Sequence, residues 1–263
     1  MKMILGLEYS GTQYSGWQRQ KHAGSIQQYV EEALSRVADQ TVTVQCAGRT
    51  DTGVHALNQV AHFETEAVRD MRSWLLGGNV NLPQDISILW VKPATDDFHA
   101  RFSATGRSYR YIILNRSSRP GINSHKVTWE CRPLDIRRMQ QAADCLIGEH
   151  DFTSYRAVDC QSRSPVRNVR RLDVSRTGDM VIINIEANAF LHHMVRNIAG
   201  VLMEIGIGKA PVEWSQQVLQ ARDRTLGGVT APPHGLYLVN VTYPEKFNIP
   251  VVAEYNTLVV TQY

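Results

Sequence analysis

The chain has 263 residues, 43% of them apolar and 20% charged, with a formal net charge of +3. That composition is ordinary for a soluble globular protein with room for one large or two small cores, and so mild a basic excess permits nucleic-acid binding without showing it. No apolar run approaches the roughly 18 residues of a membrane span, and the opening "MKMILGLEYSG" reads as a strand, not a signal peptide.

In chain order, "MILGLEY" (3–9) reads as a largely buried strand. "SIQQYVEEALSRVA" (25–38) reads as a helix, with Ser25 and Gln28 as a capping box and Ile26, Tyr29, Val30, Leu34 and Val37 on one face. "TVTVQCAG" (41–48) and "NQVAHFET" (58–65) read as strands, residues 67–79 as a helix, and "ISILWVK" (86–92) as a strand. The order is β-α-β-β-α-β, a ferredoxin-like arrangement. The second half offers a helix over 132–148, strands over 109–115, 168–176 and 181–188, a long helix over 190–208 and a closing strand over 235–243. The expected class is therefore α+β: two ferredoxin-like, RRM-like halves whose mainly antiparallel sheets join, with helices on one side. Domains are expected at 1–103 and 104–245, followed by an apolar tail, 246–263, that the pattern does not place. Cys46, Cys131, Cys145 and Cys160 form no C-x-x-C pair, so reduced thiols in a cytoplasmic protein are expected, and no metal site.

"CAGRTDTGVHA" (46–56) stands between two of these strands. Its glycines allow backbone angles that other residues resist, and Thr50 and Thr52 can bond the loop to itself around Asp51. Arg49 lies two residues before the carboxylate and His55 four after it. Asp is also a common turn former, so capping a turn is an alternative role for Asp51.

This loop resembles the signature of the tRNA pseudouridine synthases of the TruA type. So, in order, do "YSGWQRQ" (14–20), "FHARFSATGRSYRYIILN" (98–115), "DFTSYRA" (151–157), "ANAFLHHMVRNIAGVLMEIG" (187–206) and "GLYLVNVTY" (235–243). The resemblance runs from about residue 3 to residue 245 and leaves out the tail. It implies the pseudouridine synthase fold and an isomerase that detaches, rotates and reattaches uracil on the same ribose. That change is neither redox nor phosphoryl transfer, so no metal and no cofactor is expected, and none of the nucleotide-binding motifs is seen.

The resemblance further implies that Asp51 is the catalytic nucleophile, attacking either C1′ of the ribose or C6 of the base. Arg196 is then the cation that keeps it ionised, and Arg49 serves base flipping, which extrusion of a paired uridine requires. Tyr109 and Tyr111 are expected on opposite faces of one strand, so that only one can face the site, and the resemblance selects Tyr109 to stack on the uracil. Leu238 is the expected apolar floor, with Leu236 as its competitor. His55, His192 and His193 read as structural. Arg101, Arg107, Arg110 and Arg116, with Phe98 and Phe102, form one basic and aromatic cluster for RNA. Arg163, Arg167, Arg170 and Arg171, near Tyr155, form another. The implied substrate is the tRNA anticodon stem-loop near positions 38–40, bound by a homodimer, with no membrane and no small-molecule cofactor. Two rival readings are a non-catalytic RRM-like module, which lacks the RNP1 aromatics, and a glycosidic-bond hydrolase. The hydrolase needs a second carboxylate, for which Glu64 and Asp97 are the candidates.

Overall fold

The structure is a computed structural model that describes residues 1–250. The described chain forms two units, Met1–Thr105 with the stretch from Tyr237 onward, and Gly106–Leu236. Residues 251–263, most of the tail set apart by its sequence, lie outside the described residues.

In the first unit, β1 (Lys2–Tyr9) buries Met3, Ile4, Leu5 and Leu7 almost completely. α1 (Ile26–Ala38) starts at Ser25, whose hydroxyl accepts the Gln28 amide at 3.4 Å. Only half of the expected capping box forms, because the Gln28 side chain donates onward to Glu32 at 3.0 Å. The helix buries Ile26, Val30 and Leu34 and ends at Asp39 in the left-handed region. β2 is short (Val44–Cys46), and β3 (His55–Glu64) begins three residues earlier than "NQVAHFET" suggests. α2 (Met71–Asn81) and β4 (Ile86–Pro93) follow. The antiparallel sheet runs β4-β1-β3, with β2 on the far half of β3, where Val44 faces Phe63.

In the second unit, β5 (Gly106–Asn115) pairs antiparallel with β9 (Met180–Ala187), β9 with β8 (Val166–Thr177), and β8 with β7 (Gly148–Asp151). The short β6 (Thr128–Glu130) lies parallel to β5. α3 (Ile136–Asp144) is half the length its pattern suggests, because Asp135 caps it from Arg137 and Arg138, beyond Pro133. α4 (Met194–Gly206) is mostly apolar and buried on nearly every side, Arg196 and Glu204 being the charged residues it leaves partly exposed. α5 (Trp214–Ala221), β6 and β7 have no counterpart in the sequence reading, since each is too short to show a period.

The last strand, β10 (Leu236–Thr242), groups from Tyr237 with the first unit, although the sequence reading gives it to the second domain. The reason is its pairing. It lies parallel to the near end of β3, with Tyr237 opposite His55 and Leu238 opposite Ala56. The start of the tail follows it. Phe247 packs on Phe98 at 5.1 Å, and Lys92 donates to the carbonyls of Phe247 and Asn248.

β3 is buried along nine of its ten residues, and four of those are polar. Such groups must be bonded, and each ties in a different segment. His55 Nδ1 accepts the Gly11 amide at 3.1 Å, and Asn58 donates to Asn240 at 3.1 Å. Gln59 donates to the Gly48 carbonyl at 2.5 Å, and His62 Nδ1 accepts the Ala100 amide at 3.2 Å.

Burial, with help from His99 and Lys2, pulls the pKa of His62 down to about 4. An unfolded histidine takes up its proton near pH 6.5, whereas folded His62 stays neutral until about pH 4. Its contribution to stability is therefore complete above about pH 6.5 and is lost as the pH falls towards 4. Urea unfolding followed from pH 7 to pH 4 should show this loss, with a slope of up to about 1.4 kcal/mol per pH unit. His62→Gln, which keeps an acceptor for Ala100, should flatten that part of the profile.

Candidate active site

The loop between β2 and β3 is held from three directions. Below it, the Ala47 amide donates to the Val60 carbonyl at 2.8 Å, and Gln59 grips Gly48 at both its carbonyl and its amide. From β1, the Tyr9 hydroxyl bonds Thr50 Oγ1 at 2.8 Å. Thr50 therefore ties the loop to the sheet, not to itself as its sequence suggests, and Thr52 is exposed.

The third support is the segment "YSGWQRQ". The Trp17 amide donates to the Thr50 carbonyl at 2.9 Å, while the buried indole of Trp17 lies 6.0 Å from the Tyr9 ring. Gly16 has φ +80°, and a Cβ there would lie 2.6 Å from the Thr50 carbonyl oxygen. This segment is fixed in turn by α1, where the Ile26 and Gln27 amides donate to the carbonyls of Gly16 and Trp17. Buried Glu31 gathers Arg19, Gln27 and the Val44 amide at 2.9–3.1 Å.

Thus braced, the chain turns at Asp51, whose carbonyl accepts the Val54 amide at 3.1 Å with Gly53 at φ +78°. The Asp51 side chain is half-buried and Arg49 is exposed. His55 lies too deep for proton transfer with solvent. It is 2% exposed, is stacked on Tyr237 at 4.6 Å, and accepts a backbone amide at Nδ1. Leu238 is fully buried beside it on β10, and Leu236, two residues earlier, is 5% exposed. Desolvation pushes the Cys46 thiol up to about 12 although Arg49 and then Arg101 act in the opposite sense, so it stays protonated.

Phe98 corrects an expectation. It is 1% exposed, wedged between Tyr243, Phe247 and His62 at 5.1–6.0 Å, and so belongs to the core and not to an RNA surface. Tyr155, also fully buried, donates its hydroxyl to the Ser215 carbonyl. Arg101 is exposed.

In the second unit, Tyr109 and Tyr111 share a face of β5 and not opposite faces as expected, because side chains two apart in a strand point the same way; they differ in depth. Tyr111 is fully buried, bonded to Thr128 and to the Pro232 carbonyl, and burial raises the pKa of its phenol. Tyr109 is half-buried, in edge contact with Phe190 at 5.0 Å. Arg107 donates to the Asn188 carbonyl and Arg110 to Asn184. Arg196, in the first turn of α4, is half-buried. Its Nε donates to the Ala231 carbonyl at 2.8 Å, and the Ala231 amide donates back to the Arg196 carbonyl.

The 228–231 segment that holds Arg196 crosses α4 at Gly200, where a Cβ would lie 1.9 Å from the Val229 carbonyl oxygen. It is clamped by Arg224 and buried Asn197, which converge on Thr230. Neither clamp residue stands out in the sequence; a glycine inside an apolar helix is the one signal that could have pointed there. Much of the second arginine cluster is already engaged. Arg170 pairs with Glu186, Arg171 with Asp173, and Arg167 with the carbonyls of Ser164 and Val166.

Gly16→Ala tests the brace. The new methyl meets backbone and no side-chain rotamer relieves it, so a loss of about 1–3 kcal/mol is expected. It should be read as a fall of several degrees in the thermal midpoint; an unchanged midpoint would show that the loop is not held there.

A family model described as tRNA pseudouridine synthase matches residues 7–103 and 142–244. The chain is 57% identical over 250 residues to "tRNA pseudouridine synthase A" of Nitrosococcus oceani, covering 95% of this chain and 96% of that one. It is 57% identical over 249 residues to the protein of that name from Legionella pneumophila strain Corby, covering 95% of each. It is 56% identical over 251 residues to that of Klebsiella pneumoniae strain 342, covering 95% of this chain and 93% of that one. A match of this extent, through the loop that holds Asp51 and the helix that carries Arg196, shows that the chain belongs to the tRNA pseudouridine synthase family, a family of isomerases.

Proposed function

We propose that the chain isomerises uridines of the tRNA anticodon stem-loop, near positions 38–40, with Asp51 as the nucleophile and Arg49 serving extrusion of the base. The observation that carries this reading is the loop itself. Three segments hold it, and it presents one half-buried carboxylate at a turn, with an exposed arginine two residues away. A carboxylate held this way loses little freedom on approaching a reacting carbon, which is where positioning contributes to rate.

In this reading Arg196 is the cation for that carboxylate, Tyr109 stacks on the flipped uracil, and Leu238 forms an apolar floor. The working form is a cytoplasmic homodimer in which each chain is built of two ferredoxin-like halves; the β4-β1-β3 order with β2 beyond it supports that description of the first half. A hydrolase is disfavoured by its missing partner acid, since Glu64 faces Lys2 and Asp97 is bonded to Lys246 and Thr95.

Unmodified tRNA carrying tritium at C5 of uridine tests the reading, because the new carbon–carbon bond at C5 expels that hydrogen. Wild type should release tritium to water and no free uracil. Asp51→Ala should bind the tRNA and release none. Near wild-type turnover by Asp51→Asn would sink the assignment, and free uracil would revive the hydrolase. Arg196→Ala should lower kcat by a hundredfold or more, the scale on which charged or hydrogen-bonding partners act in closed sites, with tRNA affinity changing far less. Equal kcat in the two proteins would remove Arg196 from the chemistry.

A further inference from the structure

Resting on the reading that the substrate is RNA, we propose that Phe102, flanked by His99 and Arg101, is a platform on which an unpaired nucleobase of that RNA stacks. Phe102 is 75% exposed, whereas Phe98, four residues earlier in the same motif, is buried. It is also held firmly. The Arg101 and Phe102 amides both donate to His99 Nδ1, at 3.1 and 3.3 Å, and His99 and Ser103 bond each other through amide, carbonyl and hydroxyl. Beneath them the Ala100 amide reaches His62, and the Ala100 carbonyl accepts the Tyr243 hydroxyl at 2.6 Å. A large aromatic face on so braced a segment adds nothing to the core and loses no freedom when covered.

Its surroundings select the ligand. The His99 ring lies 4.3 Å from the Phe102 ring, and the Arg101 guanidinium lies 5.5 Å from its centre. Two amides point at His99 Nδ1, so that nitrogen carries no proton. Burial, with Lys2 and Arg101 nearby, further disfavours the charged ring. The carboxylate that precedes the segment, Asp97, is occupied by Lys246 and Thr95. What remains is an exposed aromatic ring with the Arg101 cation over it, which suits a base and its phosphate and is indifferent to sequence. The His99 ring lies 4.7 Å from the His62 ring, the Ala100 amide donates to His62, and His62 pairs across the sheet with Gln45, the residue before Cys46. The platform therefore neighbours the strand end from which the Asp51 loop springs. The stack replaces Phe98 as the aromatic of this motif that meets RNA.

The test titrates wild type and Phe102 variants with unmodified tRNA transcript. Phe102→Ala should bind roughly 5- to 150-fold more weakly, the loss expected for one stacked base. Its dependence on salt should be unchanged, because no phosphate contact is removed. KM should rise by a similar factor with little change in kcat. Phe102→Trp should bind like wild type, and the fluorescence of its added indole should be quenched by the tRNA and not by inorganic phosphate. Phe102→Leu, apolar but not flat, should behave like the alanine variant. Binding of the alanine variant within twofold of wild type, restoration by leucine, or an unquenched indole would each overturn the platform. If wild type itself released no tritium, the isomerase reading would fail instead, while the binding comparison would still decide the platform.

Discussion

The first unit depends on one constraint: β3 is a buried strand that carries polar side chains, and each must find a partner away from water. An apolar strand would have been easier to bury, but it would have held nothing in place. Because Gln59 has to be satisfied, it takes hold of Gly48. Because His55 and His62 have to be satisfied, they take hold of Gly11 and Ala100. The desolvation cost of each buried group turns into a fixed position for a neighbouring loop. Asp51 stands at the end of this chain of obligations, and the placing of its backbone follows from residues buried in the sheet beneath it.

Elements long enough to repeat their own pattern could be read from sequence. The apolar face of α1, the buried run of β1 and the mostly apolar α4 each announce themselves within a dozen residues. The loop was legible for a different reason: arginine, aspartate, threonine and glycine crowd into it more densely than a plain turn calls for. What was not legible was depth. Phe98 and Phe102 are four residues apart in one motif, and local pattern does not say that one is sealed beneath Tyr243 and Phe247 while the other is open. Tyr109 and Tyr111 share a face, so alternation says nothing about which is sealed. The braces were equally hidden, since Tyr9, Trp17 and Gln59 become one assembly only once the strands have paired.

The arginines show the same limit from the side of charge. A sequence counts cations, but it does not show which ones the fold has already used. Arg110, Arg167, Arg170, Arg171 and Arg224 each have named internal partners. Ion pairs and carbonyl contacts of this kind are individually weak at a surface, yet they set the direction in which a guanidinium points. A basic cluster in a sequence is therefore an upper bound on the positive surface that the folded chain offers.

The placement of β10 bears on how the protein is made. Asn58 and Asn240, hydrogen-bonded across the β3–β10 junction, are 182 residues apart in the chain. A ribosome delivers the Asp51 loop early and its β10 neighbour last. Until then the near end of β3 has an open edge, with His55 lacking the Tyr237 ring that covers it. Domains usually mature in the order in which they are translated. Here the first unit is completed only after the described part of the second has emerged, so a nascent or truncated chain carries the Asp51 loop without the strand that finishes its support.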